Sequence, residues 1–142
     1  MALLARREHS ARELAAKLRR KGCDPDAVEQ AVARLLEEGY LDDERYARAV
    51  VRRRAGARGR SAIRGELVAR GVSRDVVAAT VDELDGEEEI AAAVALLRQW
   101  HRVPEGFDDL LEVAGPRLYR RGFSQSVART ACRRFAAEAI AG

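Results

Sequence analysis

Apolar positions recur along the chain with a helical period. Val28, Val32, Leu35 and Leu36 fall at i, i+4, i+7 and i+8, and Val77, Val81 and Leu84 repeat the pattern in shorter form. That spacing lines one side of an α-helix. No stretch alternates β-branched or aromatic residues with polar ones over more than a few positions, so strands are not expected. The periodic segments are punctuated by Gly22, Gly71 and Gly122, 49 and 51 residues apart, and the chain aligns with itself on these glycines. Leu18, Leu67 and Leu118 each stand four residues before the glycine, while Cys23, Val72 and Phe123 follow it directly and precede Asp24, Ser73 and Ser124. Further on, Val28, Val77 and Ala128 match, then Val32, Val81 and Cys132, then Leu35, Leu84 and Phe135. A period of this length marks repeated supersecondary units.

Each column has a physical reason. Glycine just past a helix adopts the left-handed conformation that ends it at low cost, and the next residue packs back on the leucine four before the glycine. The Asp or Ser that follows accepts from the free N–H groups of the next helix, and Pro25 suits a first helical position. Cys23 with Val28, Val72 with Val77 and Phe123 with Ala128 have the spacing of a hydrophobic staple. Leu35, Gly39 and Tyr40 repeat the turn, after which Leu41 and Asp42 open another helix. Ser10 with Glu13 reads as a capping box. The spacing predicts helices over 2–8, 10–21, 24–38, 42–57, 60–70, 73–85, 86–101, 107–121 and 124–140. These group into units at 1–39, 40–85 and 86–142. The expected fold is all-α: three tandem three-helix repeats stacked as an elongated or curved helical array, because one such unit buries too little alone.

Composition agrees and adds charge. Ala, Leu, Arg and Glu, all good helix formers, dominate, and aromatic residues are only 5%. The net charge of +3 hides an uneven distribution. Residues 45–70 carry nine Arg against one acid, Glu66; residues 82–112 carry ten acids against Arg98 and Arg102; residues 117–134 carry six Arg and no acid. Basic blocks of this kind suit a polyanion or an acidic protein surface. Two cysteines make no disulfide framework, and the repeat columns read both Cys23 and Cys132 as small buried hydrophobes. The absence of a secretory signal or membrane-spanning run makes a cytoplasmic protein the expectation.

No catalytic constellation is apparent. His9 and His101 lie in no zinc-binding or nucleophile-activating spacing, and His9 beside Ser10 reads as part of a helix start. Gly56-Ala57-Arg58-Gly59-Arg60-Ser61 superficially resembles a phosphate loop but lacks the Lys and the preceding strand. The acids Asp42–Asp43 and Glu87–Glu89 sit at predicted helix starts, where they complement the macrodipole. No enzyme activity, metal or cofactor is expected.

The arginines are the better functional signal. On the 42–57 helix Arg45, Arg48 and Arg52 fall within an arc of about 60°. Arg53 and Arg54 widen it, and Arg58, Arg60 and Arg64 extend it through a glycine-containing connection. Arg117, Arg120 and Arg121 form a second cluster, with Arg129 and Arg133 one turn apart beyond Gly122. Guanidinium suits phosphate or carboxylate. The reading is of two basic areas separated by an acidic unit, fit to dock along an extended charged partner, with Gly22, Gly39, Gly71 and Gly122 as purely structural turns. Solvated faces in an Arg-biased protein are the bland alternative, since Lys occurs only at Lys17 and Lys21.

Several segments resemble the RecX family. Leu3-Leu4-Ala5-Arg6-Arg7-Glu8-His9-Ser10 with Glu13-Leu14 and Lys17-Leu18 looks like its opening, and Gly39-Tyr40-Leu41-Asp42-Asp43-Glu44-Arg45-Tyr46-Ala47 like its most recognisable signature. Ile63-Arg64-Gly65-Glu66-Leu67 with Arg70-Gly71-Val72 matches the next segment, although Gly65 stands where a long polar side chain is usual. Leu118-Tyr119-Arg120-Arg121-Gly122-Phe123 fits the closing repeat. The resemblance spans essentially the whole chain. It implies three tandem three-helix units and a cytoplasmic regulator of the RecA recombinase in DNA repair, recombination and the SOS response; the stacked units themselves give no strong dimer signal, so a monomer is expected. Such a protein binds RecA and its filament on single-stranded DNA, with some direct DNA contact, and restrains ATPase, strand-exchange and co-protease activities. A stand-alone nucleic-acid-binding helical module is the alternative, and a plain helical scaffold a third.

Overall fold

The computed structural model describes residues 9–101 and 107–141, and all regular structure there is helical. The helices are α1 (Ala11–Arg20), α2 (Pro25–Glu37), α3 (Asp43–Arg54), α4 (Arg60–Ala69), α5 (Arg74–Asp82), α6 (Gly86–Trp100), α7 (Phe107–Arg120) and α8 (Gln125–Ala141). The helix expected over 2–8 lies outside the described residues. Helix α3 stops three residues earlier than its sequence pattern implies, because the Ala57 and Arg58 N–H groups both turn back to the Arg54 carbonyl, each at 3.0 Å. Helix α5 likewise ends at Asp82, where the Leu84 N–H bonds the Val81 carbonyl at 3.0 Å.

The turns between helices follow the local chemistry. Gly22, Gly39, Gly71 and Gly122 have φ of 91°, 79°, 86° and 93°. In each turn the residue after the glycine donates its N–H to the carbonyl of the leucine before it: Cys23 to Leu18, Tyr40 to Leu35, Val72 to Leu67 and Phe123 to Leu118, at 2.9–3.2 Å. These bonds satisfy carbonyls that a helix end leaves open. Ser10 and Glu13 form the complete capping box. Asp24, Asp42, Ser73, Asp85 and Ser124 each cap the helix that follows.

Three apolar cores follow one another along the chain. Leu14, Val28, Val32 and Leu41 form the first, between α1 and α2. Val50, Ile63, Leu67, Val77 and Val81 form the second, among α3, α4 and α5. Leu97, Leu118, Phe123, Ala128, Cys132 and Phe135 belong to the third, among α6, α7 and α8. The first unit is less covered than its counterparts: Cys23 is exposed, whereas Val72 and Phe123 are buried, and Leu18 and Leu35 are only partly buried. Among the described residues no helix covers the Gly22 turn, where an added Cβ would meet nothing within 4 Å.

Successive helix groups are joined by a device that occurs twice. The first N–H of α1, on Ala11, is capped by Asp43 of the next group at 3.0 Å, and the first N–H of α4, on Arg60, by Glu89 of the group after it at 2.8 Å. The Ser10 hydroxyl donates to the Arg70 carbonyl at 2.8 Å, and the Gly59 N–H donates to the Arg121 carbonyl at 2.8 Å. Thus the start of one group's middle helix seats on the glycine turn of the next group. The acids at Asp43 and Glu89 therefore do more than complement their own helix dipoles. Glu89 is 4% exposed and replaces the side-chain cap that Gly59 cannot supply to α4. At the second joint the backbones touch: a Cβ on Gly59 would lie 2.4 Å from the Gly122 carbonyl carbon, and one on Gly122 would lie 2.4 Å from the Ala62 nitrogen. Real Cβ contacts do not come that close, so these glycines also make the joint possible.

Candidate interaction surface

The arginines of the sequence divide into three kinds by what they touch. Arg48 leaves the arc expected on α3 and turns to α5, donating to the Glu83 carboxylate through Nε at 3.1 Å and Nη2 at 3.0 Å. Those bonds hold the Glu83 carboxyl below its ordinary pKa. Arg60 lies in the second joint, where its Nη2 donates to the Leu84 carbonyl and its Nε stands 3.8 Å from Glu89. Arg54, Arg58 and Arg70 converge on Glu66, at 3.0, 2.9 and 3.2 Å. Arg70 also donates to the Tyr46 hydroxyl at 2.8 Å. Burial raises the pKa of that phenol, and the Arg70 bond opposes the rise.

A second kind is stacked. Arg117 lies 3.9 Å over the centre of the Trp100 ring and Arg121 lies 5.4 Å over it, the i, i+4 spacing of α7 bringing both cations to one indole. Arg121 also donates to the Ala57 carbonyl at 3.3 Å.

The third kind is exposed without a hydrogen bond or ion pair among the described residues; Arg52, Arg53, Arg64, Arg120 and Arg129 are of this kind. Arg45 is exposed on the same helix as Arg52. Of the expected Arg45–Arg48–Arg52 arc, then, Arg48 is committed to an internal pair.

The largest difference from expectation concerns the two basic areas. They are not held apart by the acidic segment. The Ala57–Arg121 and Gly59–Arg121 bonds bring the connection after α3 against the end of α7, so the blocks meet at the second joint. Some of the intervening acids are committed internally: Glu89 is buried in the joint, Glu83 pairs with Arg48, and Glu87 accepts two bonds from Arg134 at 2.7 and 3.0 Å. Trp100 and Glu66, which organise the arginines, carry no functional reading in the sequence pattern. Their signals were the single tryptophan and the single acid within residues 45–70.

Chemically the surface can grip oxyanions. Among the described residues no group of three or more His, Cys, Asp and Glu side chains could hold a metal ion. Among them no helix is long and apolar enough to cross a membrane.

Comparison with known proteins bears on what such a surface serves. Residues 1–35 match the family model described as RecX, first three-helix domain, and residues 42–81 match the RecX second three-helix domain. The chain is 40% identical over 136 residues to the regulatory protein RecX of Xanthomonas axonopodis pv. citri (strain 306), covering 94% of this chain and 83% of that one. It is 37% identical over 136 residues to the regulatory protein RecX of Stenotrophomonas maltophilia (strain R551-3), with 94% and 82% covered. The crystal structure of RecX from Lactobacillus salivarius superposes with a TM-score of 0.80 at 18% identity, over 94% of this chain and 90% of that chain. A second crystal structure of regulatory protein RecX gives 0.78 at 20% identity, over 92% and 67%.

Proposed function

The chain belongs to the RecX family of regulatory proteins, and from that membership we propose that it binds the RecA recombinase and its filament on single-stranded DNA and restrains RecA activity. The observation that supports this reading most is the meeting of the two arginine blocks at the second joint. The stacked Arg117 and Arg121 lie there, joined through the Ala57 carbonyl to the connection that carries the Glu66-bound Arg58. Arg52, Arg53, Arg64 and Arg120 are exposed without an internal pair among the described residues. A stack of rigid helix groups presenting this strip fits a groove lined by acidic protein and DNA phosphate. Seated there, it bridges neighbouring RecA subunits and blocks the subunit motions coupled to ATP turnover, strand exchange and co-protease action. The reading implies a cytoplasmic, monomeric protein that acts by binding, without catalysis or cofactor.

The test is RecA ATPase on single-stranded DNA with and without this protein; no inhibition at equimolar protein rejects the reading. The arginines to reverse are Arg52 and Arg53, which hold no internal pair, rather than Arg48 or Arg54. Arg52→Glu with Arg53→Glu should weaken filament binding about tenfold or more while leaving helicity unchanged. An unchanged affinity would move the contact to another face. The alternative of a module that binds nucleic acid without RecA is favoured by the guanidiniums stacked on Trp100. It predicts tight binding to bare DNA that falls steeply with salt through counterion release.

A further inference from the structure

Glu66 gathers three guanidiniums about one carboxylate, and their burial is ordered. The Glu66 side chain is 12% exposed, whereas those of Arg54, Arg58 and Arg70 keep 33%, 44% and 27%. The carboxylate therefore lies beneath the arginines, not outside them. A guanidinium carries five N–H donors. Arg54 uses Nε and Arg58 uses Nη1 on Glu66, so both Nη groups of Arg54 and the Nε and Nη2 of Arg58 have no partner among the described residues. Glu13 also faces Arg70 and Tyr46, so three cations stand against two carboxylates, and the surplus positive charge lies at Arg54 and Arg58. Tyr46 orients Arg70 from the buried side.

We infer that this cluster is a phosphate-binding site, in which Arg54 and Arg58 bond the oxyanion and Glu66 is a positioning residue that fixes them from below. Planar, multi-donor groups held in place suit a tetrahedral anion with several free oxygens. The basic strip continues from Arg58 to Arg121, whose Nη1 bonds the Ala57 carbonyl, and on to Arg117 over Trp100. A ligand with repeated phosphates, the backbone of a single-stranded nucleic acid, matches that continuation. The inference rests on the proposed function for the identity of that strand, and it assigns this corner of the surface to DNA.

The test is Glu66→Gln, which makes the protein more positive. If charge alone governed binding, the variant would hold a nucleic acid more tightly. A prearranged site requires the opposite, because the freed arginines must be ordered on binding: affinity should fall about fivefold. Binding of the full chain to fluorescein-labelled oligo(dT) is followed by anisotropy, with helicity checked by circular dichroism. Equal or tighter binding by Glu66→Gln overturns the site. Should that variant lose helicity, Arg58→Gln replaces it, since Arg58 lies in a connection outside the helices. It should weaken binding and lower the slope of log affinity against log salt by about 0.7; unchanged affinity and slope overturn the site. A polyglutamate that competes as well as unlabelled oligo(dT) overturns the nucleic-acid assignment. RecA ATPase is measured in parallel. The expected oligo(dT) response without RecA inhibition leaves this site standing and removes the RecA reading. RecA inhibition with oligo(dT) affinity indifferent to Glu66→Gln removes this site alone.

Discussion

Cys23 and Cys132 occupy turn and core columns of the repeat, in its first and third units, and their surroundings separate them. Cys132 is buried, and burial raises its thiol pKa. Cys23 stands exposed beside a glycine turn that no described helix covers. The thiolate is the reactive form. A disulfide reagent at neutral pH should therefore titrate one thiol in the native protein and the second only after unfolding, and Cys23→Ser should abolish the native reaction. Rapid reaction of both thiols would contradict the packing described. The repeat alignment made Cys23 a core residue because it compares residue types, and exposure depends on what is laid over a residue. Gly59 teaches the same at the backbone: its phosphate-loop look is accidental, and its missing Cβ admits the Gly122 carbonyl.

Helices were legible where their reasons are local. Caps, glycine turns and apolar periodicity set α1 to α8 within a few residues. Even Pro116 did not break α7, whose Leu110, Ala114 and Leu118 are buried on one side; a proline inside a helix otherwise costs about 3 kcal/mol. Helix α4 keeps a different liability. Gly65 lies exposed in its interior with open space where a Cβ would go. Gly65→Ala should stabilise the protein by about 0.5–1 kcal/mol, read as a rise in unfolding midpoint in urea. A loss would reveal a contact at that surface. Helices α6 and α8 are tied by Arg134 to Glu87 and Arg98 to Glu138, and each carboxyl is held below its ordinary pKa by its arginine. A carboxyl whose pKa is lower folded than unfolded adds stability above the unfolded value, and that stability is lost as pH falls through the folded value. Wild type should thus lose thermal stability below pH 4.5 more steeply than Glu87→Gln with Glu138→Gln. These pairs are exposed, so the difference should be small; identical acid profiles would mean the ties contribute nothing.

At the scale of the molecule, the glycine turns acquire a second duty. Gly22 and Gly122 share a left-handed φ, yet a Cβ at Gly22 meets nothing while one at Gly122 meets backbone of α4. Gly22→Ala should cost about 1–2 kcal/mol of strain alone. Gly122→Ala should add overpacking of about 1–3 kcal/mol and loosen the joint that unites the basic blocks. Equal losses in urea unfolding would show that the joint yields freely. The sequence by itself determined the helices, their caps and turns, the repeat and the arginine supply, because those features rest on interactions within a few residues. Only the tertiary structure decided which arginines are tied, that Asp43 and Glu89 lock one group to the next, and that the two basic blocks meet at the second joint. The locks and the meeting of the blocks depend on partners 29 to 64 residues apart, and Arg48 finds Glu83 35 residues on. Which of several similar charges meets across such a distance is settled by how the helix groups seat on one another, and no local pattern encodes it.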